Sequence, residues 1–130
     1  MAMAKILVCD SEQEWLTITG KILEQADYEV ICSKNGRDAL QKVRALKPDL
    51  IILDVKMPGM AGYEVCSILK SDPDLRNIPV IILTCMDMGD DFEKALDKKA
   101  DGYVTKPFSE KHLLKPVRML LREKEGKKTD

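Results

Sequence analysis

Three short runs along the chain are apolar at every position and end on a polar residue. Ile6-Leu7-Val8-Cys9 stops at Asp10, Leu50-Ile51-Ile52-Leu53 at Asp54, and Val80-Ile81-Ile82-Leu83 at Thr84. Such runs, without alternation, predict strands buried on both faces, as in the interior of a parallel sheet. Two weaker runs, Tyr28 to Ser33 and Asp101 to Thr105, predict two more strands. Between the strands, apolar residues recur at helical spacing. The first stripe is Trp15, Ile18, Ile22 and Leu23, the second Ala39, Leu40, Val43 and Leu46, the third Val65, Ile68 and Leu69. Phe92, Ala95 and Leu96 form a fourth, and Leu113, Leu114, Val117, Leu120 and Leu121 a fifth.

The order is therefore βα repeated five times. It predicts an α/β fold with a five-stranded parallel sheet, right-handed crossovers and helices on both faces, a doubly wound arrangement. Breakers fall between the elements: Asn35-Gly36 before the second helix, Pro48 after it, Asp72-Pro73 after the third helix and Pro79 before the fourth strand. Ser109 is placed to cap the last helix. Pro116 falls inside that helix, deletes one hydrogen bond and crowds the carbonyl of His112, so a kink or local widening is expected there. The stretch from Glu123 to Asp130 is charged and is expected to be a solvated, frayed tail or the stub of a linker.

A length of 130 residues suits one domain, and its core needs no disulfide or metal staples. With 21 basic and 22 acidic residues, the chain has no basic excess to draw it to nucleic acid or an anionic membrane. Cys9, Cys32, Cys66 and Cys85 are widely spaced and His112 is the single histidine, which argues against a zinc site. Three of the cysteines lie in or beside apolar runs, where a thiol acts as a small hydrophobe, and a reducing cytoplasm is the expected location. The apolar runs are too short to span a bilayer, and the N-terminus shows no signal-peptide pattern.

In an open parallel sheet, ligands sit beyond the carboxyl ends of the strands. The residues that end the strands are Asp10, Asp54 and Thr84, with Lys106 after the fifth. Taken singly, an Asp after a strand is usually a helix cap and a Thr a turn residue. Together at one sheet edge they supply the parts of phosphoryl transfer onto an aspartate. Paired carboxylates need a cation between them, and their hard oxygens select Mg2+. One carboxylate can attack phosphorus, while the metal, a lysine and a hydroxyl take up charge on the phosphoryl oxygens.

From about Lys5 to Leu121 the chain resembles the receiver domains of two-component response regulators. The resemblance is carried by Lys5-Ile-Leu-Val-Cys-Asp10, by Leu53-Asp-Val-Lys-Met-Pro-Gly-Met-Ala-Gly62, by Ile82-Leu-Thr84 and by Ala100-Asp-Gly-Tyr-Val-Thr-Lys-Pro-Phe108. It implies a flavodoxin-like fold with strand order 2-1-3-4-5, a receiver domain over residues 1–122 and a tail over 123–130. It implies that Asp54 is the phosphoacceptor, Thr84 the switch hydroxyl, Lys106 the phosphate-contacting cation and Tyr103 the aromatic switch. Mg2+ would be held by Asp10, Asp54 and the backbone carbonyl of Lys56. Where family members usually carry a second acid, the chain has Ser11, so either Ser11 or Glu12 completes the site and weaker Mg2+ binding is expected. Lys106-Pro107 matches a peptide bond that is usually cis in the family. Met57, Pro58 and Gly62 read as loop geometry.

The implied partner is a sensor histidine kinase or a histidine phosphotransfer protein. The implied output is a switch of the face made by the fourth helix, fifth strand and fifth helix, where a homodimer would also form. That face would include Phe92, Asp97, Lys98, Tyr103, Lys111 and Arg118. No direct contact with nucleic acid or membrane is implied. Such a module is no enzyme beyond promoting its own phosphorylation and slow dephosphorylation. Lys56 and Met86 flank the path of the hydrolytic water and are expected to slow that loss further. The alternative is a pseudo-receiver that works without phosphorylation, with Ser11 as its motive. A phosphatase is disfavoured because Lys56 occupies the place of its second acid. A dinucleotide domain is disfavoured because Asp10-Ser11-Glu12 is not glycine-rich.

Overall fold

A computed structural model describes residues 3–85 and 100–129, with side chains through Glu123. The sheet contains β1 (Lys5–Cys9), β2 (Glu29–Ser33), β3 (Leu50–Asp54), β4 (Val80–Cys85) and β5 (Gly102–Lys106). All pairings are parallel and the order is β2-β1-β3-β4-β5. The helices described are α1 (Gln13–Gln25), α2 (Gly36–Leu46), α3 (Gly62–Ser71) and the C-terminal α4 (Glu110–Thr129). The expected helix around Phe92, Ala95 and Leu96 lies outside the described residues, as do Met86, Asp97 and Lys98.

The continuous apolar strands divide their side chains between two cores, which is why they do not alternate with polar residues. Leu7, Cys9, Ile51, Leu53, Val80 and Ile82 join the core that includes α2 and α3. Ile6, Val8, Leu50, Ile52, Ile81 and Leu83 join the core that includes α1 and α4. The expectation of a doubly wound sheet is met. At roughly 1.5–3 kcal/mol per fully buried aliphatic side chain, these central strands are the main source of cohesion.

The helical stripes need correction at their large residues. In α1 the buried set is Leu16, Thr19, Gly20 and Leu23, while Ile18 is 44% exposed. In α2 Leu46 faces outward, and in α3 Cys66 is buried in place of Ile68. Size misled the reading: a face at i, i+3, i+4 and i+7 includes Thr19 and Gly20 between Leu16 and Leu23 whatever their size. The last stripe holds, with Leu113 and Val117 buried and Leu114, Leu120 and Leu121 packed beside them.

Local chemistry sets the boundaries. The Asn35 side chain accepts the Asp38 N–H at 2.8 Å and caps α2, and Lys47 closes that helix at φ 44°. The Ser109 hydroxyl accepts the His112 N–H at 3.2 Å. Pro116 stands inside α4, and the helix continues on both sides of it. Its Cβ lies 4.0 Å from where a side chain on Gly102 would begin, so the ring packs near the entry to β5. The backbone after Glu123, expected to fray, runs on as helix to Thr129.

Candidate functional site

The strands end together at one edge of the sheet, and the polar residues there converge. Asp10, Asp54, Thr84 and Lys106 are all buried. In register, Cys9 pairs with Leu53, Asp54 with Leu83, Thr84 with Thr105 and Cys85 with Lys106. Asp10 and Asp54 thus close adjacent strands at the centre, while Lys106 reaches them from the edge strand.

The Lys106 ammonium stands against both carboxylates. Its Nζ donates to Asp10 Oδ2 at 2.7 Å and lies 3.4 Å from Asp54 Oδ1. The other oxygen of Asp10 accepts the Glu12 N–H at 2.9 Å, which fixes that carboxylate at the entry to α1. A third neighbour is aromatic: Nζ lies 4.9 Å from the centroid of Trp15, whose ring meets that of Phe108 at 5.2 Å. The Lys106-Pro107 peptide bond is cis, as expected.

Asp54 is held protonated to higher pH than a free carboxyl. Burial pushes its pKa up to about 6; Lys106 pulls it down, and the charge of Asp10 raises it again. Asp54 therefore carries its negative charge at neutral pH but gives it up readily. The Cys9 thiol is pushed up to about 12 chiefly by burial and lies 3.3 Å from Met57 Sδ.

The segment after β3 is held close to the Asp54 backbone. Val55 N–H donates to Leu83 O at 3.0 Å and Gly62 N–H to Val55 O at 2.9 Å. A Cβ on Gly62 would lie 2.2 Å from the Asp54 carbonyl oxygen, so only glycine lets α3 begin there. Gly59, at φ 81°, makes the preceding turn. Met57 is buried in the core, Pro58 is exposed, and the Lys56 side chain points to solvent. Ser11 is half-buried and Glu12 exposed at the rim, both next to Asp10.

Thr84 Oγ1 lies 3.4 Å from Thr105 Oγ1, a partner the sequence reading missed. The parallel register of β4 and β5 was the signal that would have found it. Tyr103 is half-buried against the α2–α3 core beside Cys85 and Ala100. Trp15, a member of the first helical stripe, is within reach of the lysine, and Phe108 was not singled out. Lys111 and Arg118 are exposed on α4. Among the described residues, no helix is long and apolar enough to cross a membrane.

Two buried strand-end carboxylates stand against a strand-end lysine at one edge of a 2-1-3-4-5 parallel sheet. Residues 6–118 match the family model of the response regulator receiver domain, and the chain belongs to that family. It is 40% identical over 121 residues to the alkaline phosphatase synthesis transcriptional regulatory protein PhoP of Bacillus subtilis, covering 93% of this chain and 50% of that protein. The chain thus spans about half the length of that regulator. Among solved structures, the signal receiver domain of a signal transduction histidine kinase from Syntrophus aciditrophicus superposes with a TM-score of 0.88 at 38% identity, covering 92% of this chain and 91% of that one. The fold is also that of the receiver domain of the sensor histidine kinase PA1611 from Pseudomonas aeruginosa, with a TM-score of 0.86 at 23% identity, covering 92% and 98% of the two chains.

Proposed function

We propose that this receiver domain accepts a phosphoryl group on Asp54 from a phosphohistidine of a sensor histidine kinase or phosphotransfer protein. The observation that carries the reading is the Lys106 ammonium set between the buried carboxylates of Asp10 and Asp54 at 2.7 and 3.4 Å. A carboxylate oxygen of Asp54 forms the new bond to phosphorus as the bond from phosphorus to the histidine nitrogen breaks, and the leaving imidazole takes up a proton. Lys106 exchanges a carboxylate for a phosphoryl oxygen, and the Thr84 hydroxyl donates to another. Movement of Thr84 frees space for Tyr103 to turn inward, which alters the face that includes β5 and α4. That face is the proposed surface for output and for a homodimer. Outside this self-phosphorylation and its slow reversal the domain is no enzyme, and it acts in the cytoplasm.

The donor set fits Mg2+. Asp10 and Asp54 are hard oxygen ligands, and the backbone carbonyl of Lys56 follows within two residues of Asp54. Among the described residues no group of three or more His, Cys, Asp or Glu side chains gathers, so water, Ser11 or Glu12 would fill the remaining positions. When bound, Mg2+ neutralises charge on the phosphoryl oxygens. The PA1611 receiver domain has been solved with a magnesium ion coordinated in its active site cleft. The missing second acid favours the other reading, a pseudo-receiver. Incubation with acetyl phosphate and Mg2+ followed by intact mass separates the two. The parent should gain one phosphoryl group and Asp54→Asn none; no gain in the parent overturns the proposal and leaves the pseudo-receiver.

A further inference from the structure

The Lys106 ammonium has three N–H donors, and among the described residues its oxygen neighbours are the two carboxylates of Asp10 and Asp54. The face of Trp15 stands 4.9 Å from Nζ, and the Lys106 side chain is 7% exposed. The indole is in turn met by Phe108 at 5.2 Å, tilted by 40°. Trp15 comes from the first turn of α1 and Phe108 from just beyond β5, so two separate elements bring the rings together over the site. An indole face is the strongest aromatic partner for a cation, most so when water is excluded.

We propose that Trp15 is a positioning residue for phosphoryl transfer. Its ring, backed by Phe108, is the third wall of a cage that holds the Lys106 ammonium beside Asp54 before a phosphoryl group arrives. This rests on the reading of Asp54 as phosphoacceptor. The wall has a property that a carboxylate or carbonyl would lack. It attracts the cation without presenting a directed acceptor, so the ammonium can turn from carboxylate to phosphoryl oxygen without breaking a hydrogen bond on that side. The ammonium is held close to where charge develops and still free to swing, which is the preorganisation that phosphoryl transfer uses.

The cage has a readout of its own because Trp15 is the single tryptophan of the chain. Its emission should shift in Lys106→Met, with the fold intact by circular dichroism; superimposable spectra would overturn the contact. Phosphorylation by acetyl phosphate at saturating Mg2+ is the second readout. Trp15→Leu should cut the maximal rate about tenfold with the half-saturating acetyl phosphate concentration unchanged, while Trp15→Phe, which keeps a ring face, should stay within about threefold of the parent. Equal rates in parent, Trp15→Leu and Trp15→Phe would overturn the proposal. Should Trp15→Leu fail to fold, Phe108→Leu takes its place and must slow the reaction by a smaller factor. If the parent itself takes up no phosphoryl group, the functional reading fails, and the emission of Lys106→Met alone decides whether the cage exists.

Discussion

The two ends of the sheet each carry a lysine–aspartate pair at the same separation, and the pairs do different things. At the carboxyl end Lys106 meets Asp10 at 2.7 Å; toward the amino end Lys70 meets Asp101, also at 2.7 Å. Lys70 is saturated. Its three donors go to the carbonyls of Arg76 at 3.1 Å and Ile78 at 3.0 Å and to Asp101, whose Oδ2 also accepts the Val80 N–H at 2.8 Å. That lysine stitches α3, the loop after it and the starts of β4 and β5 into one place. Lys106 has one short bond, one long contact and an aromatic face. Contact distance alone does not separate a structural ion pair from a working one. What separates them is whether each donor has a fixed acceptor of its own.

Exchanging each lysine for methionine puts that contrast to its hardest test. Lys106→Met should lower the rate of Asp54 phosphorylation by acetyl phosphate by about a hundredfold, as loss of an electrostatic partner in the transition state does. Lys70→Met should leave that rate within about twofold but cost about 2 kcal/mol in urea unfolding, from charge-assisted bonds lost to backbone and carboxylate. A reversal of the two outcomes would break the comparison.

The pH dependence of stability sharpens it. Asp54 holds its proton to about pH 6 in the folded protein, against an ordinary value of 3.8. A folded acid with a raised pKa binds protons more tightly than the unfolded chain, so stability from this group is full below about pH 4 and is lost as pH rises through about 6. Asp54→Asn should remove that slope and raise stability at pH 7 by about 2 kcal/mol in urea titrations. A parent whose stability is flat between pH 4 and 7, with no gain in the variant, would show that Lys106 fully offsets the burial.

The smallest effect lies away from both ends. Thr19 is wholly buried in α1 and its Oγ1 has no hydrogen-bond partner among the described residues. Thr19→Val replaces that hydroxyl with a methyl of similar size and should stabilise by about 1 kcal/mol, read as a higher urea midpoint with unchanged slope.

Much of this was legible in the residues because strands and strand ends are local features. Unbroken apolar runs ending at Asp10, Asp54 and Thr84 fixed the sheet and the edge at which polar groups collect. What pattern did not reveal was which partner each group finds. The cation between the carboxylates belongs to Lys106, 96 residues from Asp10, and nothing local marks that contact. Thr105 beside Thr84 depends on the register of two strands, and Phe108 against Trp15 on the approach of two distant elements. Gly62 shows the same limit: its tie to Asp54 is a steric one, visible only as the oxygen that a side chain would strike. Helix faces were misread at Ile18 and Ile68 because size was weighed over position.

The order of the strands gives Lys106 one more meaning. Between β5 and β1 lie β4 and β3, and neighbouring strands stand about 4.8 Å apart, so the ammonium of an edge residue is tied to a carboxylate at the far side of the sheet's middle. The lysine is in effect a guy-rope, anchored in the outermost strand and hitched to the centre. In the proposed switch, moving the hitch would load β5, the strand that also carries Tyr103.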